Sequence, residues 1–312
     1  MTEKEKCDIV KKTLKGERTM KLSVFATPPS FTSYDQVIDF CVAEGIPGLE
    51  LFPMLELAQG GPETAKAIAD KAREKGLEIT CFSAGIDLAA NDGVDRVSQL
   101  KKWADCAAAA GSPYLHHTLA LSLKPAYGPV TFRDIRDRVT PMAQEIFDYA
   151  ADKGVLCLYE DQGLYCNGSE RFGDFMAHLN RPAGVCLDFG NCMFVDEMPE
   201  KFASMFLPLI KHAHLKDYLI RPAYMPHPGE GYYVTAEGNY LIEVPMGHGS
   251  VHFERVFAML LRQGYDGWFS TEYTGPGDVK ELQMGVRNVR RYYENAARTA
   301  AVQGEVGLLS VE

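Results

Sequence analysis

From Met20 onward the chain alternates short apolar runs of strand length with longer stretches whose apolar positions recur at helical spacing. The first strand is expected at about Lys21–Ala26, with a helix near Tyr34–Glu44. Gly48–Leu51 reads as the second strand. Its helix, Glu63–Lys75, is opened by Pro62 at a first-turn position and closed by Gly76. Glu78–Phe82 is the third strand, followed by a helix over Val94–Ala110. Tyr114–His117 is the fourth, followed by a long helix over Phe132–Lys153. Val155–Glu160, Val185–Asp188, Ile210–His214 and Trp268–Glu272 complete the strands. Helices follow them near Arg171–Leu179, Pro199–Phe206, Val251–Gln263 and Val279–Ala297. Strict alternation predicts βαβ units and a parallel sheet, and eight strands with eight helices is the count of a closed (β/α)8 barrel. A doubly wound sheet would more often carry a Gly-rich phosphate turn after an early strand, and none is present.

A barrel takes about 250 residues, so the 312-residue chain accommodates one as a single domain with extra segments. Residues 1–19 are charged and irregular and read as an N-terminal extension, 20–297 as the barrel, and 298–312 as a C-terminal tail. One connection is abnormal. Roughly 35 residues, Lys216–Ser250, separate the seventh strand from its helix, and connections of that length are often functional. This one carries Tyr218, Tyr224, Tyr232, Tyr233 and Tyr240. Because it follows a strand end, it is expected to form a lid over the catalytic face of the barrel, with a packed surface excursion as the competing reading.

Charge and cysteine usage narrow the classes. The formal net charge of −10 argues against a nucleic-acid surface. The eight cysteines are scattered without a C-x-x-C pair, which fits reduced core thiols and an expected cytoplasmic location. No apolar run has the length of a membrane span, and no signal-peptide pattern is seen. A homo-oligomer is expected, with the terminal segments and the long connection as natural contacts.

The chemistry lies at strand ends. Glu160, Asp188, His214 and Glu272 close the fifth to eighth strands, and in a barrel those ends share one face. Three carboxylates and an imidazole form an oxygen-rich donor set that suits Mn²⁺ or Mg²⁺, with Co²⁺ or Zn²⁺ as alternatives. On an octahedral ion, four protein ligands leave two positions for a hydroxyl and carbonyl pair. Glu160 and Glu272 come from opposed parts of the wall and are positioned to remove and return a proton. His212 faces the same way as His214 but one layer deeper, as a hydrogen-bonded core histidine. Lys216 lies beside this face as a substrate-binding candidate.

These segments resemble the xylose-isomerase-like TIM-barrel family of sugar (phosphate) isomerases and epimerases. The most specific pieces are His212-Ala-His-Leu-Lys-Asp217, Leu187-Asp-Phe-Gly-Asn191 and Pro245-Met-Gly-His-Gly249, running on to Gly264 through Tyr273; Gly48-Leu-Glu-Leu51 resembles the family's second strand. The resemblance covers roughly residues 20–295 and puts the family's metal ligands on the same four residues. It also implies an acid/base role for Glu160 and Glu272. It places a metal-ligating or substrate-binding histidine at His116–His117. Adjacent residues face opposite ways, so at most one of them faces the interior; His116 is preferred as the inward, catalytic one, and His117 is kept as a substrate-binding candidate. Asn191 stands where epimerases often carry histidine; it can bind a sugar hydroxyl but cannot shuttle a proton. His248 replaces the usual acidic residue of the Gly-x-Gly turn and is expected to act as an acid or base near neutral pH. The apurinic endonuclease branch needs further ligands that Asn191 and the absence of an Asp-x-His pair between Lys216 and Ser250 do not supply.

The leading expectation is therefore a divalent-metal-dependent isomerase or epimerase acting on a sugar or keto-sugar through an enediolate. The alternative is a lyase on the same scaffold. It would be an inosose-type dehydratase, or a C-glycoside deglycosidase cleaving a 3-keto-glycoside with a small β-rich partner subunit.

Overall fold

The computed structural model describes residues 19–25, 31–275 and 277–309, with side chains to Ala300. Eight parallel strands close a barrel: β1 (Leu22–Phe25), β2 (Gly48–Leu51), β3 (Glu78–Ala84), β4 (Tyr114–His117), β5 (Leu156–Tyr159), β6 (Gly184–Asp188), β7 (Ile210–Leu215) and β11 (Trp268–Thr271). The order around the wall is β1-β11-β7-β6-β5-β4-β3-β2. The helices are α1 (Tyr34–Ala43), α2 (Pro62–Glu74), α3 (Arg96–Ala109), α4 (Phe132–Asp152), α5 (Ser169–Leu179), α6 (Pro199–Phe206), α7 (Phe253–Arg262) and α8 (Val279–Leu309). The (β/α)8 barrel anticipated from the alternation is thus present.

Local chemistry explains the helix starts. Ser33 and Asp95 accept hydrogen bonds from the backbone N–H groups of Gln36 and Ser98. Thr131 and Asp134 form a reciprocal capping box on α4. Pro62 and Pro199 occupy first-turn positions, where a missing N–H costs nothing. The strands are buried on both faces. Outward side chains meet the helix layer, where Phe257 of α7 packs edge-on against Phe269 of β11 and against Tyr293 of α8. Closure is tight at Gly48, where an added Cβ would lie 2.6 Å from Ser23 Cβ and 2.7 Å from the Trp268 ring.

Two expectations change. The C-terminal helix does not stop near Ala297; α8 runs on to Leu309, so the segment taken as a tail from 298 continues a helix. The segment taken as an extension lies outside the described residues apart from Thr19, as does Ala26. The long connection after β7 is not a structureless loop. It forms an antiparallel sheet of β8 (Tyr218–Arg221), β9 (Tyr233–Val234) and β10 (Tyr240–Glu243), in the order β8-β10-β9. Side-chain carboxylates fix it to the barrel. Asp217 accepts from the backbone N–H groups of Gly247 (2.8 Å), Gly249 (2.8 Å) and Val251 (3.1 Å). Asp196 accepts from Thr235 Oγ1 (2.7 Å), Asn239 Nδ2 (2.8 Å) and the N–H of Glu237 (2.7 Å). Its tyrosines do not form one platform: Tyr218 is buried against Phe194, and Tyr224 is exposed.

Candidate metal centre

Parallel register assembles the site. Asp188 pairs with His214 across β6 and β7, and His214 pairs with Ser270 across β7 and β11, so Glu272 follows two residues beyond. Side chains alternate along each strand, so Cys186, Asp188, His212 and His214 all point into the barrel.

The four strand-end residues meet. From His214 Nδ1 the distances are 3.4 Å to Glu160 Oε2, 3.4 Å to Glu272 Oε2 and 3.9 Å to Asp188 Oδ2. Neighbouring donors around an octahedral ion with bonds of about 2.1 Å lie about 3 Å apart, so a small contraction would seat one. His214 Nδ1, Glu160 Oε2 and Asp188 Oδ2 are buried and have no hydrogen-bond partner. Three such atoms converging on one point is what a cation would satisfy. Asp188 can spare only Oδ2, because Oδ1 already accepts from the N–H groups of Gly190 (2.7 Å) and Asn191 (2.8 Å). The donor set fits a divalent ion.

Electrostatics agree. Burial raises Asp188 to about 6, against the pull of Lys216 and with Glu272 and Glu160 adding to the rise. Burial would depress Lys216, but Glu272 and Asp188 hold it well above the usual lysine range. Its Nζ lies 2.7 Å from Glu272 Oε1 and 3.8 Å from Asp188 Oδ2. The local excess of carboxylate over ammonium favours a cation.

Glu50 lies beneath, on β2, a residue that sequence reasoning did not select. It is fully buried, and burial alone would raise its carboxyl, yet His214 and His212 hold it well below the usual range. His212 Nε2 donates to Glu50 Oε2 (2.7 Å) and His214 Nε2 to Glu50 Oε1 (3.0 Å). Ser83 Oγ also donates to Glu50 Oε1 and in turn lies 2.9 Å from His116 Nδ1. Each tautomer follows. With Nε2–H committed to Glu50, His214 aims the Nδ1 lone pair at the carboxylates; with Nδ1–H committed to Ser83, His116 aims Nε2 at Glu160 Oε1, 3.3 Å away. The signal was available, since a carboxylate in the middle of the apolar run Gly48–Leu51 requires a partner. Asp161 was also missed. It is fully buried with neither carboxylate oxygen hydrogen-bonded, and burial together with Asp188 and Glu160 pushes it well above the usual range.

The remaining predicted residues divide. His116 faces inward, and His212 is the buried core histidine expected. Asn191 reaches the site through its backbone N–H to Asp188, and its buried side-chain Nδ2 is unpartnered. His117 is corrected: strand alternation turns it to the outer face. There it packs edge-on against Tyr159 with ring centroids 4.8 Å apart, its Nδ1 is 3.1 Å from the Thr118 carbonyl, and burial lowers it to about 4. His248 is exposed in the turn after β10, and among the described residues no hydrogen bond or ion pair joins its ring to the four strand-end residues. Asp217 takes the N–H groups of Gly247 and Gly249 on either side of it, which fixes the backbone of that turn.

The xylose isomerase-like TIM barrel family model matches residues 38–296. The chain belongs to this family. Among curated relatives, an inosose dehydratase of Yersinia enterocolitica serotype O:8 / biotype 1B is 26% identical over 165 residues, covering 51% of this chain and 55% of the relative. An inosose dehydratase of Bacillus thuringiensis (strain Al Hakam) is 35% identical over 88 residues, 28% of this chain and 29% of the relative. The matches thus span about a third to a half of those relatives' lengths. The crystal structure of a xylose isomerase domain protein from Planctomyces limnophilus superposes with a TM-score of 0.73 at 18% identity, covering 90% of this chain and 100% of that one. This likeness carries the family's barrel fold. No helix among the described residues is long and apolar enough to cross a membrane.

Proposed function

We propose that the protein is a divalent-metal-dependent lyase that eliminates a β-substituent, water in the simplest case, from a keto-sugar or keto-cyclitol. Elimination replaces the isomerase or epimerase reading as the leading one because the two curated relatives described above are inosose dehydratases. Both reactions begin with loss of a proton beside a carbonyl, so the same site serves either.

Glu160, Asp188, His214 and Glu272 would hold the ion. A divalent ion there supplies Lewis acidity toward a carbonyl and adjacent hydroxyl. The oxygen-rich donors favour Mn²⁺ over softer ions. Lys216 grips Glu272 Oε1 and so directs Oε2 inward. Glu160 keeps Oε1 near His116 Nε2, which makes this pair the better-placed proton acceptor, since a proton shared between them is stabilised by both. The ammonium of Lys216 and the buried, unpartnered amide of Asn191 would be the donors to a leaving hydroxyl. Lys216 is side-chain buried to 7% exposure, which strengthens its charge interactions by excluding water.

The experiment is turnover of an inosose by the manganese-loaded protein, followed by absorbance of the conjugated product and by mass loss of water. Product formation that Glu160→Gln abolishes supports the reading. Deuterium entering recovered substrate or an epimer, without water loss, would return the protein to the isomerase class.

A further inference from the structure

We infer that a second, alternative ion site lies directly under the carboxylate site, formed by His116, Glu160, Cys186 and His214. It takes a soft or borderline ion such as Zn²⁺ through the Cys186 sulfur and closes the ion off from substrate. The inference rests on the proposed hard-ion site above it, with which it shares Glu160 and His214.

The geometry carries it. One donor atom from each of the four residues lies within 4.8 Å of all the others, and all four residues are buried. The pairs already close are His116 Nε2 to Glu160 Oε1 at 3.3 Å and His214 Nδ1 to Glu160 Oε2 at 3.4 Å. A tetrahedral zinc with nitrogen and sulfur bonds of about 2.0 to 2.3 Å needs donor separations of about 3.3 to 3.7 Å. Cys186 stands two residues before Asp188 on β6, so its thiol shares the inward face one layer lower, with its sulfur grouped beside the His214 ring.

Lone-pair direction is the second support. Glu50 holds the Nε2–H of His214, and through Ser83 it holds the Nδ1–H of His116. Each imidazole therefore turns its other nitrogen toward Glu160, where a proton or a cation must sit. Those atoms, His214 Nδ1 and His116 Nε2, are buried without a hydrogen-bond partner, as is Glu160 Oε2. A nitrogen lone pair facing a carboxylate oxygen is repulsive unless a proton or a cation sits between them. The upper site relieves His214 and Glu160 but not His116; the lower site relieves all three.

Ligand softness decides which ion goes where. Thiolate and imidazole select zinc-like ions, and carboxylates select manganese or magnesium. On binding, the Cys186 thiol transfers its proton to solvent and the sulfur lone pair forms the bond to the ion. Four protein donors complete a tetrahedron and leave no position for substrate. Because Glu160 and His214 cannot serve both ions, a soft ion excludes the hard one, and zinc inhibits by competition.

Cobalt(II) titration into the purified chain tests this. A thiolate-to-cobalt charge-transfer band in the near ultraviolet, with intense visible bands of four-coordination, is expected and should vanish in Cys186→Ser. In parallel, electron paramagnetic resonance follows Mn²⁺. Zinc should displace it, and Cys186→Ser should weaken zinc about tenfold or more while leaving manganese affinity in place. Cys186→Ala repeats the test without a hydroxyl. If neither variant folds, the wild-type spectrum decides alone, because bound cobalt without a thiolate band overturns the inference. Manganese binding without that band sinks this inference only. Failure of every ion to bind sinks the proposed metal function with it.

Discussion

Substituting Glu50→Gln tests whether the carboxylate under the site sets the histidine tautomers. The change is nearly isosteric, so packing is preserved. Glu50 accepts from His212 Nε2 at 2.7 Å, from His214 Nε2 at 3.0 Å and from Ser83 Oγ. A glutamine offers one oxygen and one NH₂ in place of two acceptors, so at least one imidazole meets a donor. If that imidazole is His214, its proton moves to Nδ1 and the lone pair leaves the ion. The loss is about one charge-assisted hydrogen bond, about 1.5–3 kcal/mol, or on the order of 10- to 100-fold in affinity. Isothermal titration with Mn²⁺ measures it directly, with circular dichroism as the check on folding. Glu50→Ala, which removes both acceptors, closes the case in which the glutamine NH₂ faces His212: if both variants fold and bind manganese within about threefold of wild type, the tautomer argument is refuted, because even the lower bound exceeds that.

Further outcomes follow from the same geometry. His214→Ala should purify without stoichiometric divalent metal, as read by elemental analysis, because every other ligand atom converges on its Nδ1. Manganese affinity should rise with pH, most steeply below about 6, the value to which burial raises Asp188, because ligation requires the carboxylate, and more gently above it, where His214 still has a proton to lose. Below that it should fall about tenfold per pH unit for this proton, and calorimetry across the range checks the slope. His214 is opposed by burial but held well above the usual range by surrounding anions, Glu50 among them. Binding at neutral pH should therefore release a proton, visible as a buffer-dependent heat. Gly48→Ala should lower stability by about 1–3 kcal/mol in urea unfolding, because its Cβ would meet Ser23 and Trp268 across the barrel wall. His117→Ala should reduce stability but leave manganese affinity unchanged, since its ring lies on the helix side against Tyr159; a lost metal site there would return His117 to the centre.

The sequence by itself determined what local periodicity can encode. Strand and helix order, the eightfold count and the four strand-end residues of the candidate site follow from runs, alternation and end positions within single segments. That only one of His116 and His117 faces inward needed only the twofold period of a strand; which one does is decided by the register of β4 with its neighbours. Pairing across the chain lay beyond it. Glu50 and His214 are 164 positions apart and meet only because the barrel closes. Cys186 read as a core thiol until the register of β6 placed it under Asp188 and beside His214. The long connection lacked a helical period, and neither its antiparallel pairing nor its anchoring by Asp196 and Asp217 is announced by any local pattern. Side-chain direction along one strand is fixed by backbone geometry. Which groups stand opposite, and therefore which tautomer, charge and ion each favours, is fixed only when neighbouring strands take their register.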